Sequence, residues 1–294
     1  MPTVRTSAAT LVQSAAVFAG LVMVTLAAAS WGTWSLFLRP AGLPPTVTAP
    51  LLFAVMGLAA LPFALRSRAI VWTRRDVGLV LANAAFDSLN ILTFFGAIHY
   101  TTVAIAVLTH YAAPIFIALA APRIDGVATP GARPAAAAAL VGLVIVLEPW
   151  GAPAHGALVG GALGLVSAVC FAGNAFTVKR LAETIGAARA MSYHSLIAAA
   201  ATAPLLAFHD GEISAKSVGI VAIAAASIGA GSGVVYAVGL TRIGSARAAV
   251  LTFAEPLVAV AVGVLAWHES LNWTAALGGA LVLGAGIYVA RPAR

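Results

Sequence analysis

Tyr111-Ala112-Ala113-Pro114-Ile115-Phe116-Ile117-Ala118-Leu119 returns 142 residues later as Phe253-Ala254-Glu255-Pro256-Leu257-Val258-Ala259-Val260-Ala261. The same offset lays Pro62 on Pro204, Gly142 on Gly284, and LVGLVIV at 140–146 on VLGAGIY at 282–288. A constant offset across separate segments marks an internal duplication. Both copies are apolar with a proline inside, which a membrane span tolerates because neighbouring groups satisfy the freed carbonyl.

Composition agrees with a lipid-solvated chain. Of the 294 residues, 62% are hydrophobic and 9% charged, and the mean hydropathy is +1.01. Soluble domains carry about 25% charged residues. Apolar runs of span length fall at 12–38, 46–65, 77–98, 102–121, 135–149, 157–178, 188–208, 217–239, 247–267 and 272–290. The fifth is short and begins a little earlier if its alanines are included. The first is too long for a signal-peptide core and reads as a retained span. The expected fold class is all-α integral membrane, with ten transmembrane helices.

The net charge of +7 does not point to nucleic acid, because the basic residues sit in short gaps between apolar runs rather than on one soluble face. Basic residues are retained on the cytoplasmic side. With the N-terminus inside, only Arg39 and Lys216 of the 16 lysines and arginines fall outside. Both termini are therefore predicted cytoplasmic, in a multi-pass membrane protein.

Five spans per copy is an odd number, so the second copy enters the bilayer upside down. The charges follow. His99-Tyr100-Thr101-Thr102 has no Lys or Arg, whereas its counterpart from Thr241 to Arg247 carries Arg242 and Arg247. The chain is read as two inverted five-helix repeats, 1–150 and 151–294. Inverted halves provide outward-open and inward-open forms by exchanging conformations, with a substrate site near the midplane. The predicted function is alternating-access transport of a small molecule, in a monomer or homodimer.

The residues also resemble a family. Ser30-Trp31-Gly32-Thr33-Trp34 in a first span ending in a basic residue, prolines midway along spans 4 and 9, Phe253-Ala254-Glu255-Pro256, and then Trp267-His268-Glu269-Ser270-Leu271 before a glycine-rich last helix are similar to the drug/metabolite transporter superfamily and its EamA-type repeat. Within it the chain looks most like the bacterial aromatic amino acid exporters. That resemblance implies export of aromatic or other neutral amino acids. The first half departs from the closing pattern, with Ala113 where the second has Glu255.

Polar groups inside a span mark candidate site residues. Asn83, Asp87 and Asn90 share one face of span 3. Asp87 is a site for a substrate ammonium or a coupling proton, or else a structural carboxyl group. His110 and Tyr111 precede Pro114, which makes a hinge, a carbonyl ligand or a static kink; His110 lines a cavity or packs against a neighbour. Glu255, just before Pro256, pairs with Arg247, closes a gate or stabilises the fold. Trp31, Asn174, Ser232 and Tyr236 complete the expected cavity. For Trp31 an outer aromatic belt competes with a cavity wall, and for Trp34 the belt is preferred. His194 and Tyr193 lie nearer the cytoplasmic end and are weaker candidates. Gly160-x-x-x-Gly164 and Gly229-x-x-x-Gly233 allow close helix packing.

Other functions lack their motifs. There is no phosphate-loop sequence and no His-Glu-x-x-His, and the six histidines are never four apart, so no metal site is expected. No Gly-x-Ser-x-Gly elbow occurs. No cofactor is expected. An intramembrane enzyme would need a catalytic pair such as Asp87 against His110, and a channel would need a filter or charge ring. A sugar-phosphate carrier would want cations deep in the membrane, yet every Lys and Arg lies near a span end. A proton-coupled multidrug exporter, using Asp87 or Glu255, is the second transport reading.

Overall fold

The computed structural model describes residues 8–126, 129–148, 150, 156–268 and 273–290, and these are helical with no strand among them. In chain order the helices are α1 (Ala8–Trp31), α2 (Ser35–Ala41), α3 (Pro45–Arg66), α4 (Arg74–Tyr100), α5 (Val103–His110), α6 (Ala113–Ile124), α7 (Ala132–Leu147), α8 (Ala157–Thr184), α9 (Ala187–Thr202), α10 (Ala215–Ala224), α11 (Ser232–Ile243), α12 (Ser245–Leu251), α13 (Ala254–Trp267) and α14 (Trp273–Ala290). A 3-10 turn at Ala203–Phe208 extends α9, and a π-helical segment at Ala225–Gly231 joins α10 to α11.

Eight helical stretches are long and apolar enough to cross a membrane, among them Gln13–Ala41, Ile105–Ile124, Ala215–Ile243 and Ser245–Trp267. α7 and the Ala276–Ala290 part of α14 are apolar but shorter. These two helices lie against each other. A Cβ built on Gly142 would stand 2.7 Å from the Gly278 carbonyl oxygen, and one built on Gly278 would stand 2.4 Å from that of Gly142. Only glycine permits that approach, and it brings backbone against backbone. Outward-facing side chains such as Phe18, Leu58, Leu158, Ile223 and Leu265 are exposed, as lipid-facing groups must be.

Three of the expected continuous spans are broken. The first stops at Trp31 and resumes at Ser35. The fourth breaks at Tyr111–Ala112 and the ninth at Thr252–Phe253. The cause of the latter two is the proline a few residues on: its ring clashes with the carbonyl four residues back and it cannot donate there. Those carbonyls belong to His110 and Thr252, so each helix ends beside the residue its proline disables. Pro114 then occupies the first turn of α6, where no donor is missed.

The principal packing pairs are α4 with α8, α1 with α11, α3 with α9, and α7 with α14. At the head of α4, Thr73 and Asp76 form a reciprocal cap: Asp76 N donates to Thr73 Oγ1 at 3.1 Å, and Thr73 N to Asp76 Oδ2 at 3.0 Å. This cap fixes where α4 starts, and hence the depth at which Asp87 and Asn90 stand.

Candidate functional site

A central cavity of about 280 Å³ is lined by residues from both halves of the chain, including Asp87 and Asn90 from α4, His110 from α5, Asn174 from α8, Tyr236 from α11 and Glu255 from α13. Trp31 and Trp34 supply the rim left by the break after α1. No lysine or arginine is in the lining.

Several polar wall residues are held by partners on other helices. Ser167 on α8 donates to Asn90 Oδ1 at 2.7 Å, and its oxygen lies 2.8 Å from His110 Nδ1. Because the serine proton is spent on Asn90, His110 Nδ1 must be the donor to Ser167. His110 is thus orientated by a chain running through Ser167 to Asn90, and its ring lies 4.8 Å from Phe94 and 5.4 Å from Phe171. On the opposite wall Trp31 Nε1 donates to the Ile228 carbonyl oxygen at 3.2 Å. Ile228 belongs to the π-helical segment, whose altered ladder is where a carbonyl is available to a side chain. Trp31 then lies 5.0 Å from Tyr236.

Asp87 faces His194 of α9, with Nε2 3.1 Å from Oδ2; the histidine side chain is 3% exposed and the aspartate 18%. Glu255 stands close to Tyr111. Tyr111 itself is buried behind the wall, 5.8 Å from Phe253, its partner across the 142-residue offset.

The residues singled out from sequence therefore divide. Trp31, Asp87, Asn90, His110, Asn174, Tyr236 and Glu255 meet in the cavity. Asn83, Tyr111 and Ser232 stand behind it. Asn83 is fully buried and accepts from Thr177 on α8, fastening α4 to α8. Ser232 accepts from Ser30 at 2.7 Å, fastening α11 to α1. Pro114 and Pro256 are both buried at the helix breaks.

Several expectations change. Trp34 is a cavity residue rather than a member of an outer belt, because the turn after α1 bends the chain inward. That turn needs Gly32, where a Cβ would come 2.4 Å from the Glu255 carbonyl oxygen. Among the described residues no ion pair joins Glu255 to Arg247. His194 is drawn into the site by Asp87. The contact an enzyme would need between Asp87 and His110 is not made: the aspartate meets His194 and the histidine meets Ser167. Glu269 lies outside the described residues. Sequence gave no sign of Met56, Phe94, Phe171 and Met191, which also line the cavity; an apolar side chain in an apolar span carries no signal of its direction.

A multi-pass helical membrane protein enclosing a polar cavity with aromatic walls has the make-up of a small-molecule transporter. The comparisons agree. Residues 158–291 match the EamA-like transporter family. The chain is also 30% identical, over 280 residues, to an uncharacterized transporter of Archaeoglobus fulgidus, covering 92% of this chain and 96% of that one. This chain belongs to the EamA-like transporter family. It shares its fold with a protein of known crystal structure at a TM-score of 0.79 and 20% identity, over 92% of this chain and 97% of that one.

Proposed function

We propose that this protein is an alternating-access carrier that exports aromatic or other neutral amino acids across the bacterial inner membrane. The observation that carries the reading is the cavity's pairing of carboxylates, Asp87 and Glu255, with amides and a ring wall of Trp31, Trp34, Phe94, Phe171 and Tyr236. An amino acid's ammonium fits Asp87, its carboxylate fits the amides of Asn90 and Asn174, and its ring fits the aromatic wall. A phosphate-bearing substrate would meet two carboxyl groups and no lysine or arginine there.

The carrier is built from two inverted five-helix repeats, 1–150 and 151–294, with ten membrane spans and both termini cytoplasmic. Three features support the repeat. The helix pairs exchange under it: α4 with α8 becomes α11 with α1, while α3 with α9 and α7 with α14 map onto themselves. The breaks at Tyr111–Ala112 and Thr252–Phe253 fall one residue from the 142-residue offset. Asn90 and Ser232, related by that offset, each receive a serine hydroxyl, from Ser167 and Ser30.

One observation favours a second reading, export of hydrophobic amines. Met56 and Met191 give the wall two adaptable side chains, and methionine-rich surfaces suit varied ligands.

Counterflow in proteoliposomes separates the two. Liposomes loaded with unlabelled phenylalanine are expected to take up labelled phenylalanine faster than protein-free liposomes. Absence of that uptake, with uptake of a hydrophobic amine intact, refutes the amino acid reading.

A further inference from the structure

We infer that the Asp87–His194 pair is a site for one exchangeable proton, and that a substrate ammonium takes its place. The inference rests on the reading of Asp87 as the ammonium site and adds the ion that substrate is exchanged for.

The argument is a count of hydrogens. His194 Nδ1 lies 2.6 Å from the Ala190 carbonyl oxygen. A carbonyl only accepts, so Nδ1 carries a hydrogen. Nε2 lies 3.1 Å from Asp87 Oδ2. A neutral imidazole with its hydrogen on Nδ1 would turn a lone pair toward an ionised carboxylate, and two acceptors do not bond. The contact therefore holds one proton more than a neutral histidine and an ionised aspartate possess, whether on nitrogen or on oxygen. The nearly closed surroundings keep water from substituting for it: the His194 side chain is 3% exposed.

The pair is also placed to give that proton up. Asp87 lines the cavity and is the more open partner, so a ligand reaches the carboxylate first. An ammonium bonded to Asp87 supplies the positive charge that the proton supplied. The pair's proton leaves for water, the substrate ammonium stays protonated, and the positive charge facing the Asp87 carboxylate is replaced one for one. Ser195 Oγ, 3.4 Å from Nε2, can then donate to the freed lone pair.

Glu255 is the other carboxyl group in the cavity, and the His194→Gln variant tells the two apart. The ionisable cavity residues beyond the pair are His110 on α5, Tyr236 on α11 and Glu255 on α13; His110 is bonded to Ser167. The neighbouring α3 and α8 present Met56 and Asn174 to the cavity, neither ionisable. On α9 itself, Arg189 is spent on the carbonyls of Ile185, Ser67 and Arg68, and Tyr193 stacks on Trp72. Lys179 on α8 pairs with Asp125 and Glu183.

The test is calorimetric titration of the purified full-length protein in detergent with phenethylamine and with phenylalanine. Each titration is run in buffers of different ionisation enthalpy, which reports protons released per molecule bound. Wild type is expected to release protons on binding phenethylamine, and its apparent Kd should rise as the pH is lowered, as competition between proton and ammonium requires. His194→Gln should abolish the release and flatten that dependence, and Asp87→Asn should abolish binding. Binding by wild type without proton release overturns the inference, as does failure to bind either probe. Phenethylamine binding with proton release, but no phenylalanine counterflow, would remove the amino acid reading and leave the proton site. Counterflow without release would do the reverse.

Discussion

Lys179→Met should destabilise the protein far more than its neighbour Arg180→Met. Lys179 Nζ lies 3.4 Å from Asp125 Oδ1, with side chains 9% and 6% exposed. The other carboxylate oxygen of Asp125 accepts from the Ser245 backbone N–H at 3.1 Å. One carboxylate thus joins the end of α6 to α8 and to the start of α12. At an effective dielectric of about 20, the gross attraction at this distance is about 5 kcal/mol, largely offset by desolvation. Deleting one partner alone leaves the other buried and costs about 3–5 kcal/mol. Asp125 would keep only its backbone donor, while the second contact of Lys179, to Glu183 at 2.9 Å, reaches a side chain one-third exposed and adds little. We therefore expect Lys179→Met to lose about 3 kcal/mol. Asp125→Asn should lose less, since an amide oxygen still accepts from Ser245. The double variant should be more stable than the sum of the singles by about 1 kcal/mol or more. Arg180 forms a 3.5 Å pair with Glu183 and is 39% exposed, so its replacement should cost no more than about 1 kcal/mol. Unfolding in mixed micelles by titrated SDS measures all four. A Lys179→Met loss within about 0.5 kcal/mol of zero, or strict additivity in the double variant, would refute the reasoning.

Gly142→Val should separate α7 from α14 and lower stability by about 1–3 kcal/mol or more, the usual range for overpacking, read as a lower thermal midpoint in detergent. Thr177→Val strands the buried Asn83, whose Nδ2 has no partner either. It should cost about 1–3 kcal/mol, and Asn83→Leu added to it should recover part of the loss, measured by the same unfolding. Gly32→Ala should push the Glu255 backbone away from the cavity rim and cut phenylalanine counterflow at least tenfold, with the protein still folded by gel filtration. Tyr236→Ala removes the ring that packs on Trp31. It should weaken binding of an aromatic probe by about 0.5–1.5 kcal/mol, the worth of an aromatic pair, while leaving small aliphatic amino acids little affected.

How much of this was legible in sequence depends on contrast. A carboxylate or imidazole in an apolar run stands out, which is why Asp87, Asn90, His110 and Tyr236 could be picked out before their meeting place was visible. Depth was harder to read. Asn83 shares a face with Asp87 and Asn90, yet it lies one turn nearer the start of α4, where Thr177 of α8 has already closed on it. The spacing fixed the face and said nothing of where the cavity ends. His194 erred the other way, since its place depends on how α9 packs across α3 and α4, and no periodicity encodes that. The helix breaks were half legible: each proline announced a disabled carbonyl, but whether the helix kinks or stops is a matter of tertiary contact. Trp34 shows the same limit, because the turn after Trp31 has no proline to mark it.

The two ends of the molecule can be compared through the proposed repeat. The 142-residue offset carries Asp125, at the end of α6, onto Trp267, the last residue of α13. Asp125 reaches across to α8 and holds Lys179. Trp267 reaches across to α2, where its Nε1 donates to Ser35 at 3.1 Å and its ring lies 4.9 Å from the Arg39 guanidinium carbon. Each contact thus joins the tip of a broken helix in one repeat to the opening span of the other, using a cation in both cases. Under the proposed inversion the two would lie at opposite faces of the membrane. In a carrier of the proposed kind one such contact would open while the other holds. The Lys179–Asp125 pair is buried, so parting it leaves two charges to be solvated.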